Sequence, residues 1–207
     1  MTEVFDRFMN QSRKQGREYG DGYAPFHFAG LTAEERDQAL GLLMQQAVLG
    51  DGVAIDGLAL LGTKGAREEL IRLLEQFPSP SAEHVAICEA LFKVTGASEW
   101  QDCIVDDVGA ADEFTRRRAL AALERTSTPQ SSRQVLDIFV DWLSTSQDEA
   151  ARSTATGGLM QALGFPPLAK DQTHERLVLE RNLFNATGAS IEAALNQARA
   201  TLLKRGG

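Results

Sequence analysis

The sequence predicts an all-α protein assembled from stacked helical hairpins, and three patterns lead there. Pairs of a small residue followed by leucine recur at Gly57-Leu58, Ala90-Leu91, Ala122-Leu123 and Gly158-Leu159, which are 33, 32 and 36 residues apart. Such a period marks an array of two-helix units that bury their faces by stacking. Between these segments a second helical pattern repeats, with Ile71, Ile104 and Ile138 spaced by 33 and 34 residues inside ELIRLLEQF, DCIVDDVGA and VLDIFVDWL. No run shows sustained period-two alternation with β-branched enrichment, so no sheet is expected.

The elements follow in order. Val4, Phe5, Phe8 and Met9 mark a short amphipathic helix at the start. The segment GREYGDGYAPFHFAG holds both tyrosines, Tyr19 and Tyr23, together with Phe26, His27 and Phe28. It reads either as a cap across the first repeat or as an aromatic anchor for a partner, since tyrosine is enriched among interface hot spots. Thr32 and Glu35 form a capping box, and Ser79-Pro80 and Thr128-Pro129 read as two further helix starts. Gly62, Gly96 and Gly164 suit the left-handed position that closes a helix. The third unit lacks this glycine, and the fourth carries Gly157-Gly158 inside its helix, at about 1 kcal/mol each relative to alanine. The small residue before each leucine would let neighbouring hairpins approach closely. Phe165-Pro166-Pro167 stops the fourth helix, after which HERLVLERNLF and SIEAALNQARATLLKR read as two capping helices separated by Asn185 to Ala189. The expected organisation is a single domain over 1–207: an N-terminal cap helix and aromatic loop (1–31), the repeats (32–164) and C-terminal capping helices (165–207).

VAIDGLALLG, VAICEALFKVTG, TRRRALAALERT and ARSTATGGLMQALG resemble the first helices of short HEAT-like repeats of the phycobilin-lyase type, over roughly residues 32 to 164. The resemblance implies a short right-handed α-solenoid of HEAT-like hairpins with helical caps, whose second helices line the concave surface. Tetratricopeptide units share the period, but their Trp and Leu-Gly…Tyr signature does not occur.

Composition narrows the function. With 207 residues and 43% hydrophobic content the chain can bury a substantial core. No stretch nears the roughly 20 apolar residues needed to span a bilayer, and MTEVFDRFMNQSRKQ lacks a signal-peptide layout. Cys88 and Cys103 sit in apolar helical patterns and fit a reducing compartment. A cytoplasmic location is therefore expected. The net charge of −8 argues against a broad basic face for nucleic acid.

Catalytic and metal signals are missing. His27, His84 and His174 are far apart in sequence, and no H-E-x-x-H, C-x-x-C, phosphate-binding glycine loop or G-x-S-x-G elbow occurs. The expectation is no catalytic residue, no metal and no cofactor. Among HEAT-like proteins, the di-iron hydroxylase of hypusine synthesis carries paired His-Glu motifs, whereas this chain has only His174-Glu175; the related DNA glycosylases are expected to be basic.

The strongest functional clue is a charge run. No basic residue intervenes from Lys93 to Arg116, while Glu99, Asp102, Asp106, Asp107, Asp112 and Glu113 all fall inside. With Ile104 facing the core, Glu99, Asp102 and Asp106 lie on the opposite side of one helix. Neighbouring second helices would extend the stripe through Glu68 and Glu75 and through Asp137 and Asp141, interrupted by Arg72 and Arg133, with Trp142 as an aromatic anchor. Taken singly these carboxylates read as the solvated faces of an acidic protein; taken together they would steer a basic protein partner. The resulting expectation is a non-enzymatic binding protein, most concretely an immunity protein that neutralises a bacterial toxin. The alternatives are a general HEAT-repeat adaptor or a phycobilin-lyase-like chaperone, which would need an aromatic-lined groove including Trp100 and Trp142.

Overall fold

The computed structural model describes residues 1–14, 16–167 and 170–205. The described chain is helical, with no strand. Its helices are α1 (Glu3–Ser12), α2 (Gly16–Gly20), α3 (Ala33–Ala47), α4 (Gly52–Leu61), α5 (Lys64–Gln76), α6 (Ala82–Thr95), α7 (Glu99–Asp107), α8 (Glu113–Thr126), α9 (Arg133–Thr145), α10 (Glu149–Ala162), α11 (His174–Asn185) and α12 (Ala189–Arg205), with a 3-10 turn over Pro25–His27. Among the described residues no helix is long and apolar enough to cross a membrane.

Local chemistry sets the helix ends. The side chains of Thr32, Asp51, Thr63, Ser81, Asp112, Ser132, Asp148 and Thr173 each accept a hydrogen bond from a first-turn amide of the helix that follows. They satisfy donors that the helix leaves free. The capping box at Thr32 and Glu35 is present. The two proline-based starts are displaced: α6 is capped by Ser81 and not Ser79, and α9 by Ser132 and not Thr128. In each case a hydroxyl nearer the apolar run reaches the free amides. Gly62, Gly96 and Gly164 adopt φ of 63°, 67° and 102°, the left-handed region. Where glycine is missing, after α8, the hydroxyls of Thr126 and Ser127 donate to the carbonyls of Ala122 and Leu123 instead.

The chain forms two compact units, Met1–Trp100 and from Gln101 onward, so the division falls inside the span read as repeats. In the first unit α4 packs on α3, α5 and α6, and α5 packs on α3 and α6. Alternate helices are thus neighbours, as in a two-layer arrangement. Leu43, Ile55, Leu58, Leu70, Leu73, Ile87 and Leu91 are fully buried in its core. The segment before α3 closes one side: Phe8, Tyr23 and Phe28 pack ring to ring at 5.4 to 5.7 Å, beside Gly57. A Cβ on Gly57 would lie 2.8 Å from Leu43 Cδ2 and 2.9 Å from Tyr23 Cδ2, so only a bare backbone fits.

In the second unit α10 packs on α8, α9 and α11, while α12 packs on α9 and α11. The core is built on Leu120, Leu123, Phe139, Leu143, Leu159 and Met160. Gly158, a weakness when read as a helix residue alone, is a packing requirement, and Gly157 leaves room for the Glu124 side chain. A Cβ at 158 would fall 2.3 Å from Phe139 Cζ, and one at 157 would fall 2.3 Å from a carboxylate oxygen of Glu124.

The second unit also contains a repeat that the sequence reading passed over. Asp112-Glu113-Phe114-Thr115-Arg116 and Asp148-Glu149-Ala150-Ala151-Arg152 occupy the same positions at the starts of α8 and α10. Each aspartate caps its helix, and each arginine reaches backbone carbonyls just before it: Arg116 those of Ala110 and Ala111, Arg152 those of Leu143 in the last turn of α9 and of Ser146. Arg152 also donates to the carbonyls of Phe184 and Ala186.

The recurring isoleucines are not equivalent. Ile104 is fully buried, Ile138 is half-buried and Ile71 is 43% exposed. On α5 the inward stripe is Ala66, Leu70 and Leu73; on α9 it is Val135, Phe139 and Leu143. Spacing alone misses this because a shift of one residue turns a helical side chain by about 100°.

Candidate functional site

The sequence-derived acidic residues fall into three groups. Glu68 and Glu75 are exposed on α5, with Glu68 held 3.5 Å from Lys64 one turn earlier. Glu99, Asp102 and Asp106 are all exposed on α7, opposite the buried Ile104, as the helical spacing predicts. Asp137 and Asp141 are exposed on α9, one turn apart.

Other members of the charge run do structural work. Asp107 is fully buried. Asp112 caps α8 through the Thr115 amide, and those hydrogen bonds hold its carboxyl below the usual carboxylate range. Glu113 pairs with Arg117 at 2.6 Å. Asp102 accepts from the hydroxyl of Ser132, the residue that caps α9. The run is therefore not one solvated face: half of it serves helix starts and the interior.

The tyrosines belong to the cap. Tyr23 is 7% exposed and packs among Phe8, Phe28 and His27, leaving almost no surface for a partner. Its hydroxyl is buried without a hydrogen-bond partner among the described residues, and burial followed by the Asp51 charge pushes its pKa up to about 12. The half-buried Tyr19 donates its hydroxyl proton to Asp51, the residue that caps α4. Burial, then that bond, raises the Tyr19 phenol well above its ordinary value. Both residues tie the N-terminal segment to α4, Tyr23 by packing its ring against Gly57 and Tyr19 by its bond to Asp51.

Three of the expected residues meet around a cavity. In the second unit a groove runs between α9 and the end of α7. One part, an open depression of 580 Å³, is lined by Val108, Arg133, Gln134, Asp137, Ile138, Asp141 and Trp142. A second part of 530 Å³ shares Val108, Gln134, Ile138, Asp141 and Trp142 and continues to Val105, Gly109, Thr145 and Ser146. The floor is apolar (Val108, Ile138, Trp142), and the acids on the α9 rim are Asp137 and Asp141. Arg133 is the cation on this rim and is engaged by Asp137 at 3.1 Å. Among the lining residues Trp142 is the sole aromatic; Trp100 instead packs against the core of the first unit. Val108, Gln134 and Ile138 were missed as site residues because their types carry no chemical signal.

A further cavity of 450 Å³ lies between α9, α10 and α12, floored by Leu136, Val140, Leu159 and Leu195 and edged by charges of both signs, including Arg133, Asp137, Glu192 and Arg199. Among the described residues no group of three or more His, Cys, Asp and Glu side chains is gathered as a metal would need. Cys88 is buried with its sulfur 3.7 Å from His84 Nε2. No family model matches the chain, and no curated protein or solved structure matches it either.

Proposed function

We propose that this chain is a non-enzymatic binding protein of the helical-repeat type, which takes a basic segment of another protein into the α7–α9 groove. The observation that carries this reading is the groove itself: an apolar floor ending in Trp142 beside two exposed carboxylates on one rim. Desolvated apolar contacts around an aromatic anchor supply affinity, while flanking carboxylates raise the encounter rate with a basic partner.

The architecture proposed for it is a right-handed HEAT-like solenoid. The contacts between alternate helices within each unit and the two matching Asp-Glu-x-x-Arg starts in the second unit support that reading. In its most concrete form the protein is a cytoplasmic immunity protein that covers the basic substrate surface of a bacterial toxin. Holding a linear tetrapyrrole would call for several aromatic walls, and Trp142 alone supplies one, so a protein partner is the better supported ligand.

The test is affinity capture from host lysate with the tagged chain and with the variant carrying Asp106→Lys, Asp137→Lys and Asp141→Lys. The reading expects one basic protein retained by the original chain, lost in the variant and released by raised salt. The immunity form further expects that protein to be toxic when expressed alone and harmless when co-expressed. Equal recovery by both baits refutes the acidic groove as the binding surface.

A further inference from the structure

Resting on that reading, we propose that the occupant of the groove is an amphipathic basic helix lying along α9. The geometry of the lining selects this shape. Residues Arg133, Gln134, Asp137, Ile138, Asp141, Trp142 and Thr145 recur at spacings of one, three and four, so they form a single stripe along one helix. The 13 residues of α9 extend roughly 20 Å at about 1.5 Å per residue. One side of the groove therefore follows α9 over its length, while Val105, Val108 and Gly109 at the end of α7 form the facing side.

Within the trough apolar and charged positions are separated across its width. Ile138 and Trp142, one turn apart, line the same two parts of the groove as Val108 at the end of α7, and Val105 joins them in the second part. Asp137 and Asp141, also one turn apart, lie beside them on the α9 rim, whereas Asp106 is exposed on α7 outside the lining residues. A helix lying in this groove meets apolar surface on the side of Val108, Ile138 and Trp142 and carboxylates along the α9 rim. Its complement carries leucine-like residues at i, i+3, i+4 and i+7 and lysine or arginine flanking them, the helix-in-groove mode of recognition. An extended lysine-rich strand would satisfy the α9 rim and leave the floor wet, and a neutral apolar helix would satisfy the floor and leave the rim uncompensated. Arg133 offsets Asp137, with which it pairs at 3.1 Å, and Asp141 leaves the α9 rim net negative.

The probe is a synthetic peptide of about 14 residues, long enough to follow α9, with leucine on one helical face and lysine on the other. Two companions accompany it: one with glutamate in place of lysine, and one with the same leucines and lysines scrambled so that no apolar face forms. Binding to the full chain is measured by isothermal titration calorimetry and by the emission of Trp142 in a Trp100→Phe background. The expected result is binding of the leucine-lysine helix with a Trp142 shift. Ile138→Glu should weaken it at least about tenfold, and Asp137→Lys with Asp141→Lys should transfer preference to the glutamate peptide. Asp37→Lys, on the exposed face of α3 in the other unit, should leave it unchanged. Circular dichroism of each variant separates a lost site from a lost fold. Failure of the leucine-lysine peptide to bind, equal binding of the scrambled peptide, or binding that Ile138→Glu leaves intact would each overturn the helical occupant. The wider reading is judged separately by lysate capture: a basic partner retained through Asp106, Asp137 and Asp141 would stand even if no helix binds.

Discussion

Substituting Gly158 by alanine adds one methyl at the middle of α10, where the ring of Phe139 from α9 rests on bare backbone. The new carbon would lie 2.3 Å from Cζ and 2.6 Å from each Cε. Carbon atoms in contact need about 3.5 Å or more, so the ring or the helix must yield by about 1 Å. Phe139 is fully buried. Overpacking of this kind costs about 1–3 kcal/mol, and the three close ring atoms place the site at the upper end. Against this, alanine gains about 1 kcal/mol of helix propensity over glycine. The net is a loss of about 1–2 kcal/mol, or roughly 2–8 °C in Tm for a chain of this size. Thermal and urea denaturation followed by circular dichroism at the helix band read it directly. Phe139→Leu in the same background should recover part of the loss. Gly41→Ala, with nothing within 4 Å of its added carbon, should stabilise by up to about 1 kcal/mol. A Gly158→Ala variant as stable as the original would refute the close approach of α9 and α10.

Four further outcomes are expected. Tyr19→Phe removes the bond to Asp51 and should cost about 1 kcal/mol, whereas Tyr23→Phe removes a buried hydroxyl without a partner among the described residues and should be neutral or stabilising; paired denaturation curves test the opposite signs. Arg152→Gln leaves carbonyls of Leu143, Phe184 and Ala186 without their donor and should destabilise by about 2 kcal/mol, read as a lower urea midpoint. Burial raises the Glu124 carboxyl above its ordinary 4.5, with the Arg125 charge opposing and the Glu180 charge adding to the shift. A raised carboxyl contributes stability that is complete below 4.5 and lost as pH rises through the folded value. Glu124→Gln should therefore be the more stable protein at neutral pH, with the difference closing on acidification. Burial lowers the His27 imidazole below 6.5, with the Ala24 carbonyl opposing and the charges of Lys14 and Arg7 contributing, while the ring Nδ1 accepts the Ala24 amide at 2.8 Å. That contribution is complete above 6.5 and falls away as pH drops through the folded value, so His27→Gln should flatten this part of the stability profile.

The helices and their ends were legible in the sequence because they depend on neighbours within four residues. Glycine at the left-handed closing position, a hydroxyl or carboxylate before the first turn and the apolar stripe are local physics, and α3, α4, α6, α10, α11 and α12 emerge from them. The displaced caps of α6 and α9 show the margin of that reading, since Ser79 and Ser81, or Thr128 and Ser132, differ only in which one reaches the free amides. The exposure of Glu99, Asp102 and Asp106 opposite Ile104 was likewise readable, being set by the turn of a single helix. Tertiary structure decided what lies between elements. It made Gly157 and Gly158 contact points for Glu124 and Phe139, drew Tyr19 and Tyr23 into a cap, and sent Asp107 inward while Asp106, its neighbour, stayed in water. It also gathered Val108, Ile138 and Trp142 into a groove with Asp137 and Asp141. One sequence period identifies which residues share a helix face; what that face meets depends on how far the next helix is displaced and rotated, and that is fixed by the combined packing of many side chains.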